Sequence, residues 1–209
     1  MSAAGAQERA EFAASFLELG PDAPTILPGW DAPDLLEHLL LRESLPHLMV
    51  GSALPGPLGR RAGRAREDLR AAPWEQLVEQ FRNGPGPLSP AGTMDSLSGD
   101  GELLIHHEDL RRAQDGWEPR RLSAAQDASA WKALGLLSRV VLRVPVDVTF
   151  VSPRGGMRRR ARRSTGSVRV HGEPIELLLW ASGRDDVARV RIHGDERGQQ
   201  ALHSGRRGL

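Results

Sequence analysis

The feature that most constrains this chain is a change in the spacing of its apolar residues near position 143. Before it, apolar side chains recur three and four residues apart, the period that gathers them on one face of a helix. Phe12, Phe16 and Leu19 do this in the first segment, and Leu35, Leu36, Leu39 and Leu40 in the second. After it, Val146, Val148 and Phe150 alternate with Pro145, Asp147 and Thr149, and Val168 and Val170 alternate within 167–171. That is the period of a half-buried strand. The expectation is an α+β chain, with a helical part over residues 1–143 and a small α+β domain over 144–209.

Glycine and proline place the breaks. A first helix is expected over 6–19, stopped by Gly20-Pro21, and a second from about 33 to 47, capped by Asp31. Residues 51–63 read as a loop, and 64–82 as one helix with Leu69, Trp74, Leu77, Val78 and Phe81 inside. The stretch 83–92 holds three Gly and three Pro and reads as a connection. A further helix should begin near Thr93 or Asp95 and reach about residue 113, with Leu97, Leu103, Leu104, Ile105 and Leu110 as its apolar members. Ser123 should cap the next, to about residue 142. Beyond the switch, 173–182 reads as a short helix ended by Gly183, and 187–193 as another strand.

Composition removes several function classes. Hydrophobic residues make up 39% of the 209 positions, enough for a real core. No apolar run reaches the roughly 20 residues needed to cross a bilayer. Residues 1–11 lack a basic start followed by an apolar stretch, so no signal peptide is expected, and the default compartment is the cytoplasm. The absence of cysteine excludes disulfides, thiolate zinc sites and a catalytic thiol of the chain's own. Any thiol chemistry must therefore bring its sulfur with a ligand. The formal net charge is +1, and Lys132 is the single lysine. Arginine richness on that background reads as base-composition bias and is weak evidence for phosphate binding.

Glu102 and His106 stand four residues apart on an expected helix, so their side chains share a face. A carboxylate and an imidazole so placed can bind one cation, with a further ligand from a facing helix. His38, inside the leucine-rich helix, is the best third ligand. Three protein ligands leave a position open for water or substrate, the catalytic pattern. The same residues also fit a surface hydrogen bond and an ordinary core histidine, and spacing alone leaves both readings open. His107 is turned about 100° from His106 and is expected to face Glu108, solvent or the second domain. Glu108, Asp109, Arg111 and Arg112 read as a structural charge cluster. The run 158–163 holds five arginines around Ala161 and reads as a solvated hairpin, because no aromatic residues interleave it.

Three stretches carry a resemblance: Gly29-Trp30-Asp31; Asp34-Leu35-Leu36 with His38-Leu39; and Glu102 through His106-His107-Glu108-Asp109-Leu110-Arg111-Arg112-Ala113. They resemble the mycothiol-dependent maleylpyruvate isomerase family of the DinB-like superfamily, and more closely an uncharacterised metal-binding subfamily of it. The run from Gly166 to Arg184 is similar to that family's second domain. The resemblance implies a DinB-like four-helix bundle holding a divalent metal, zinc by preference, through His38, Glu102 and His106. It also implies activation of a low-molecular-weight thiol such as mycothiol against an electrophilic small molecule, in an isomerase or S-transferase. An arginine of the second domain would meet a substrate carboxylate. Arg184 is that candidate, and its alternative role is to satisfy carbonyls at a helix end.

A non-catalytic metal- or ligand-binding module is the alternative function. A nucleic-acid partner rests on the arginine run alone and is not expected, nor is a membrane partner. Two imidazoles and a carboxylate also suit non-haem iron.

Overall fold

The computed structural model describes residues 2–44, 57–85 and 90–208. Among them are eight helices and four strands: α1 (Ala3–Leu19), α2 (Ala32–Ser44), α3 (Pro57–Ala71), α4 (Trp74–Asn83), α5 (Pro90–Arg111), α6 (Ala124–Val141), β1 (Asp147–Ser152), β2 (Gly155–Arg159), β3 (Ser167–His171), α7 (Pro174–Ala181), β4 (Arg191–Gly194) and α8 (Glu196–His203). The fold class is α+β, as the apolar spacing predicts. No described helix is long and apolar enough to cross a membrane.

The chain divides into two compact units, Met1–Arg120 and Arg121–Leu209. The division falls before α6, whereas the spacing places it after that helix, at 143. The helix packs on α7 and touches β2, burying Ala130, Ala133, Leu134 and Val141. A helical period reports local structure and not which partner a helix buries its face against, so α6 reads as one more bundle helix in the sequence. Its start is as expected: the Ser123 hydroxyl accepts from the Gln126 amide, and the Gln126 side chain accepts from the Ser123 amide.

In the first unit, α1 packs on α4 and α5, and α2 on α3, α4 and α5. Phe12, Phe16, Leu35, Leu36, Leu39, Val78, Phe81 and Leu110 are buried in one core. Phe12 and Phe16 stack at 4.5 Å, and Phe81 meets both edge-on at 5.3 and 5.9 Å. Each such side chain contributes roughly 1.5–3 kcal/mol relative to exposure. Helices as short as α4 are held by that burial, because isolated helices of this length are marginal in water. Arg9, buried on α1, pairs with Glu43 of α2 and donates to the Phe81 carbonyl of α4 at 2.8 Å.

Proline explains three differences from the expected elements. The helix expected over 64–82 is two helices, because Pro73 has no amide hydrogen and turns the preceding residue away from helical geometry. α3 begins at Pro57, inside the stretch expected to be a loop, and α5 begins at Pro90, inside the expected connection. Proline suits a first helical position, where the missing N–H is not needed. Residues 45–47, 51–56 and 86–89, on which parts of the expected second helix, loop and connection fall, lie outside the described residues, as does His47.

The second unit is built on a sheet of order β2-β1-β3-β4. β1 runs antiparallel to β2 and parallel to β3, and β3 antiparallel to β4. Val148, Phe150, Val168 and Val170 are buried on one face, where Trp180 of α7 meets Phe150 edge-on at 6.1 Å. β4 is shorter than the strand expected over 187–193. α8 has little apolar content to announce it. Asp195 caps it, accepting from the Gly198 amide at 2.6 Å.

Candidate metal centre

The two expected histidines are brought together by a loop and two helices. The chain between α1 and α2 turns through Gly29, whose φ of +76° favours glycine, and is tied to the end of α5 by the Ile26 amide on the Asp109 carbonyl at 2.9 Å. Asp31 caps α2 by accepting from the Asp34 amide at 3.0 Å. This places Trp30 over His38, with ring centroids 5.2 Å apart. His38 also meets His106 of α5 edge-on, again at 5.2 Å. Two of the three expected ligands, from separate helices, therefore face each other.

Glu102 lies one turn before His106 on α5, but its carboxylate pairs with Arg42, one turn after His38 on α2. Among the described residues, no three His, Asp or Glu side chains are gathered closely enough to hold a metal. The Glu102 carboxylate is instead engaged by the Arg42 guanidinium.

The protonation pattern suits coordination. The Nδ1–H of His106 donates to Asp109 Oδ2 at 2.9 Å, since a carboxylate can only accept. With one ring proton, that bond would place it on Nδ1 and present Nε2 to a ligand, the usual carboxylate support of a metal-binding histidine. Burial, reinforced by His106 and the cationic Arg42 and Arg66, pushes His38 down to about 4. The ring is therefore neutral at pH 7, as a metal ligand must be. Neither of its nitrogens has a hydrogen-bond partner among the described residues.

His107 departs from expectation. It faces α1 and not Glu108 or solvent: its ring is buried, stacked on Phe12 at 4.7 Å. Its Nδ1 donates to Glu8 at 2.7 Å, and its Nε2 accepts from the Ser15 hydroxyl at 2.9 Å. Burial lowers its affinity for a proton. Burial opposes the charge on Glu8, yet His107 and Arg120 outweigh it and hold the carboxyl at about 2. Arg120 also bonds Glu108 at 2.7 Å and Glu11 at 3.0 Å. Sequence spacing finds Glu108 with Arg111 and Arg112, bonded at 3.1 and 2.5 Å. It misses Glu8, Ser15 and Arg120, because long-range partners leave no local period. Asp109 is also missed as the support of His106, although its place three residues on is a recognisable signal.

Arg184 belongs to the second unit. Its Nη1 donates to the Ser182 carbonyl at 2.7 Å, just after α7, which is the helix-end role. His171 and His193, unassigned by spacing, meet edge-on at 5.1 Å across β3 and β4.

No family model matches the sequence, and no solved structure matches it. The chain is similar to a histidine ammonia-lyase of Sorangium cellulosum (strain So ce56), 31% identical over 111 residues, which are 51% of this chain and 21% of that protein. The chain thus spans about a fifth of the length of that curated relative.

Proposed function

We propose that the first unit is a DinB-like four-helix bundle that binds one divalent metal, zinc by preference, and uses it to activate a low-molecular-weight thiol such as mycothiol toward an electrophilic small molecule. The observation that carries this reading is the meeting of the His38 and His106 rings from two helices, with His106 Nδ1 held by Asp109. The bundle reading is supported by the packing of α1 and of α2 each on both α4 and α5. His38 and His106 would hold the ion, with Glu102 as third ligand after leaving Arg42. A divalent cation bound there would lower the pKa of an arriving thiol.

The chain's own residues do the rest. Asp109 fixes which nitrogen His106 presents. Neutral His38 offers a lone pair without competition from a proton at pH 7. Trp30 packs edge-on against His38 and helps to hold its ring in place. With no cysteine present, the sulfur comes from the cosubstrate. Addition of that thiol to an activated carbon–carbon double bond, followed by rotation and reversal, would give an isomerase; retention of the adduct would give an S-transferase. Arg184 is the candidate for a substrate carboxylate and would first have to release the Ser182 carbonyl.

A non-catalytic metal- or ligand-binding module is favoured by the Arg42–Glu102 pair, which leaves two imidazoles as the standing ligands. Elemental analysis of the purified chain, combined with titration of a thiol, tests both. One equivalent of metal, lost in His38→Ala with the fold retained, together with thiol binding and turnover of maleylpyruvate or a bimane-type electrophile, is expected for the enzyme. Metal without thiol affinity assigns the binding module, and no metal uptake ends both.

A further inference from the structure

The net charge of +1 conceals a segregation. Residues 121–209 carry seventeen Lys and Arg against eight Asp and Glu, a formal +9, while residues 1–120 carry eleven against nineteen, a formal −8. Charge asymmetry of this size between two halves points to a polyanionic partner for the basic one.

The sheet register concentrates that charge. Residues opposite one another on neighbouring strands point to the same face. Arg158, Thr149, Arg169 and His193 therefore form one row across β2, β1, β3 and β4, and Gly156, Val151, His171 and Arg191 form the next. The other face buries Val148, Phe150, Val168 and Val170, so the basic rows look outward. Arg158, Arg169, Arg191 and His193 are exposed, and His171 is half-buried. Neighbouring rows and strands put these groups about 5–10 Å apart, within reach of successive phosphates for side chains as long as arginine. Among the described residues no carboxylate pairs with Arg160, Arg162, Arg163, Arg169 or Arg191. At one end of the strands a hollow of about 520 Å³ is lined by Arg143, Arg162 and Arg163, and at the other a groove of about 550 Å³ by His171, Arg189 and Arg191 together with the acidic Glu173.

We propose that this open face of the β2-β1-β3-β4 sheet binds the phosphate backbone of duplex nucleic acid without sequence preference. The arginine run by itself reads as a solvated hairpin; what changes its meaning is that Arg169 and Arg191, from strands outside the run, share a face with Arg158. The rows hold no Phe, Tyr or Trp, which favours backbone contact over the base stacking used on single strands. Asp147, one row along on the same face, pairs with Arg158 at 2.8 Å, so among the described residues the guanidinium groups left without a carboxylate in these two rows are those of Arg169 and Arg191.

The test is fluorescence anisotropy of the full chain with a labelled duplex DNA of about 20 base pairs. Three guanidinium–phosphate contacts give a salt slope of about −3, so affinity should fall roughly 40-fold between 50 and 200 mM salt. Arg169→Gln with Arg191→Gln should reduce the slope by about two and weaken binding at least tenfold at 50 mM salt. The corresponding double lysine variant should keep it, and Arg60→Gln with Arg61→Gln on α3 should change nothing. Absence of binding at 50 mM salt, parental affinity in the folded double glutamine variant, or equal loss in the lysine variant would overturn the proposal. So would tighter binding to polyglutamate or to phosphatidylserine vesicles than to the duplex.

Discussion

Glu102 of α5 forms an ion pair with Arg42 of α2 one helical turn from the edge-on contact between His106 and His38. Both side chains of the pair are 21% exposed, so solvent screens it only in part, and its net worth is on the order of 1 kcal/mol. A divalent cation beside a carboxylate outcompetes an interaction of that size. Arg42→Gln, which frees the carboxylate, should therefore raise zinc affinity about fivefold, and Glu102→Gln should lower it. Competition against a chromophoric chelator measures both. Equal affinity in the parent and both variants would remove Glu102 from the ligand set.

Asp109 acts on the same centre through His106. Replacing it with Asn weakens the acceptor for Nδ1–H without removing volume, and zinc affinity should fall about tenfold. The circular dichroism spectrum and urea midpoint of the metal-free protein should change little by comparison. A loss of stability with unchanged metal affinity would make Asp109 an ordinary buried partner.

The metal-free protein should weaken in mild acid on account of His38. Its folded value of about 4 lies below the ordinary 6.5, so between these values the unfolded chain holds a proton that the folded chain does not. Stability is then full above about pH 6.5 and declines as pH falls toward 4, by roughly 2–3 kcal/mol. Urea unfolding at several pH values checks this, with His38→Asn expected to flatten the dependence over that range.

Glu8 gives a second acid-labile contribution at lower pH. Its carboxyl is held at about 2 against an ordinary 4.5, so its stabilisation is present above pH 4.5 and lost as pH falls toward 2. The loss should approach about 3 kcal/mol. Glu8→Gln should cost a similar amount at pH 7, because Arg120 and His107 keep their burial and lose their partner. Urea midpoints at pH 7 and pH 3 separate the two, since the variant should lose less than the parent on acidification.

The sequence made the fold class legible because a helix and a strand write different periods into the apolar residues. Leu35, Leu36 and Leu39 announce their helix, and Val168 and Val170 their strand. It did not say which side of the switch α6 belonged to, because its buried face has the same period whether it meets a helix or a sheet. At the site, spacing placed Glu102 and His106 on one face, and His38 came from its position among leucines. The pairing of Glu102 with Arg42, the burial of His107 against Glu8 and Ser15, and the charge rows of the sheet depend on which elements become neighbours. Contacts of that kind are settled by packing and leave no local signature.

Arg9 has a consequence for how the first unit comes apart. One guanidinium is committed to a carboxylate on α2 and a carbonyl on α4 while its own stem is fixed in α1. Sliding any of these three helices by a turn would strand an ion away from water with no counterpart. Intermediate registers are thereby priced out, and these helices should melt together in a single cooperative step.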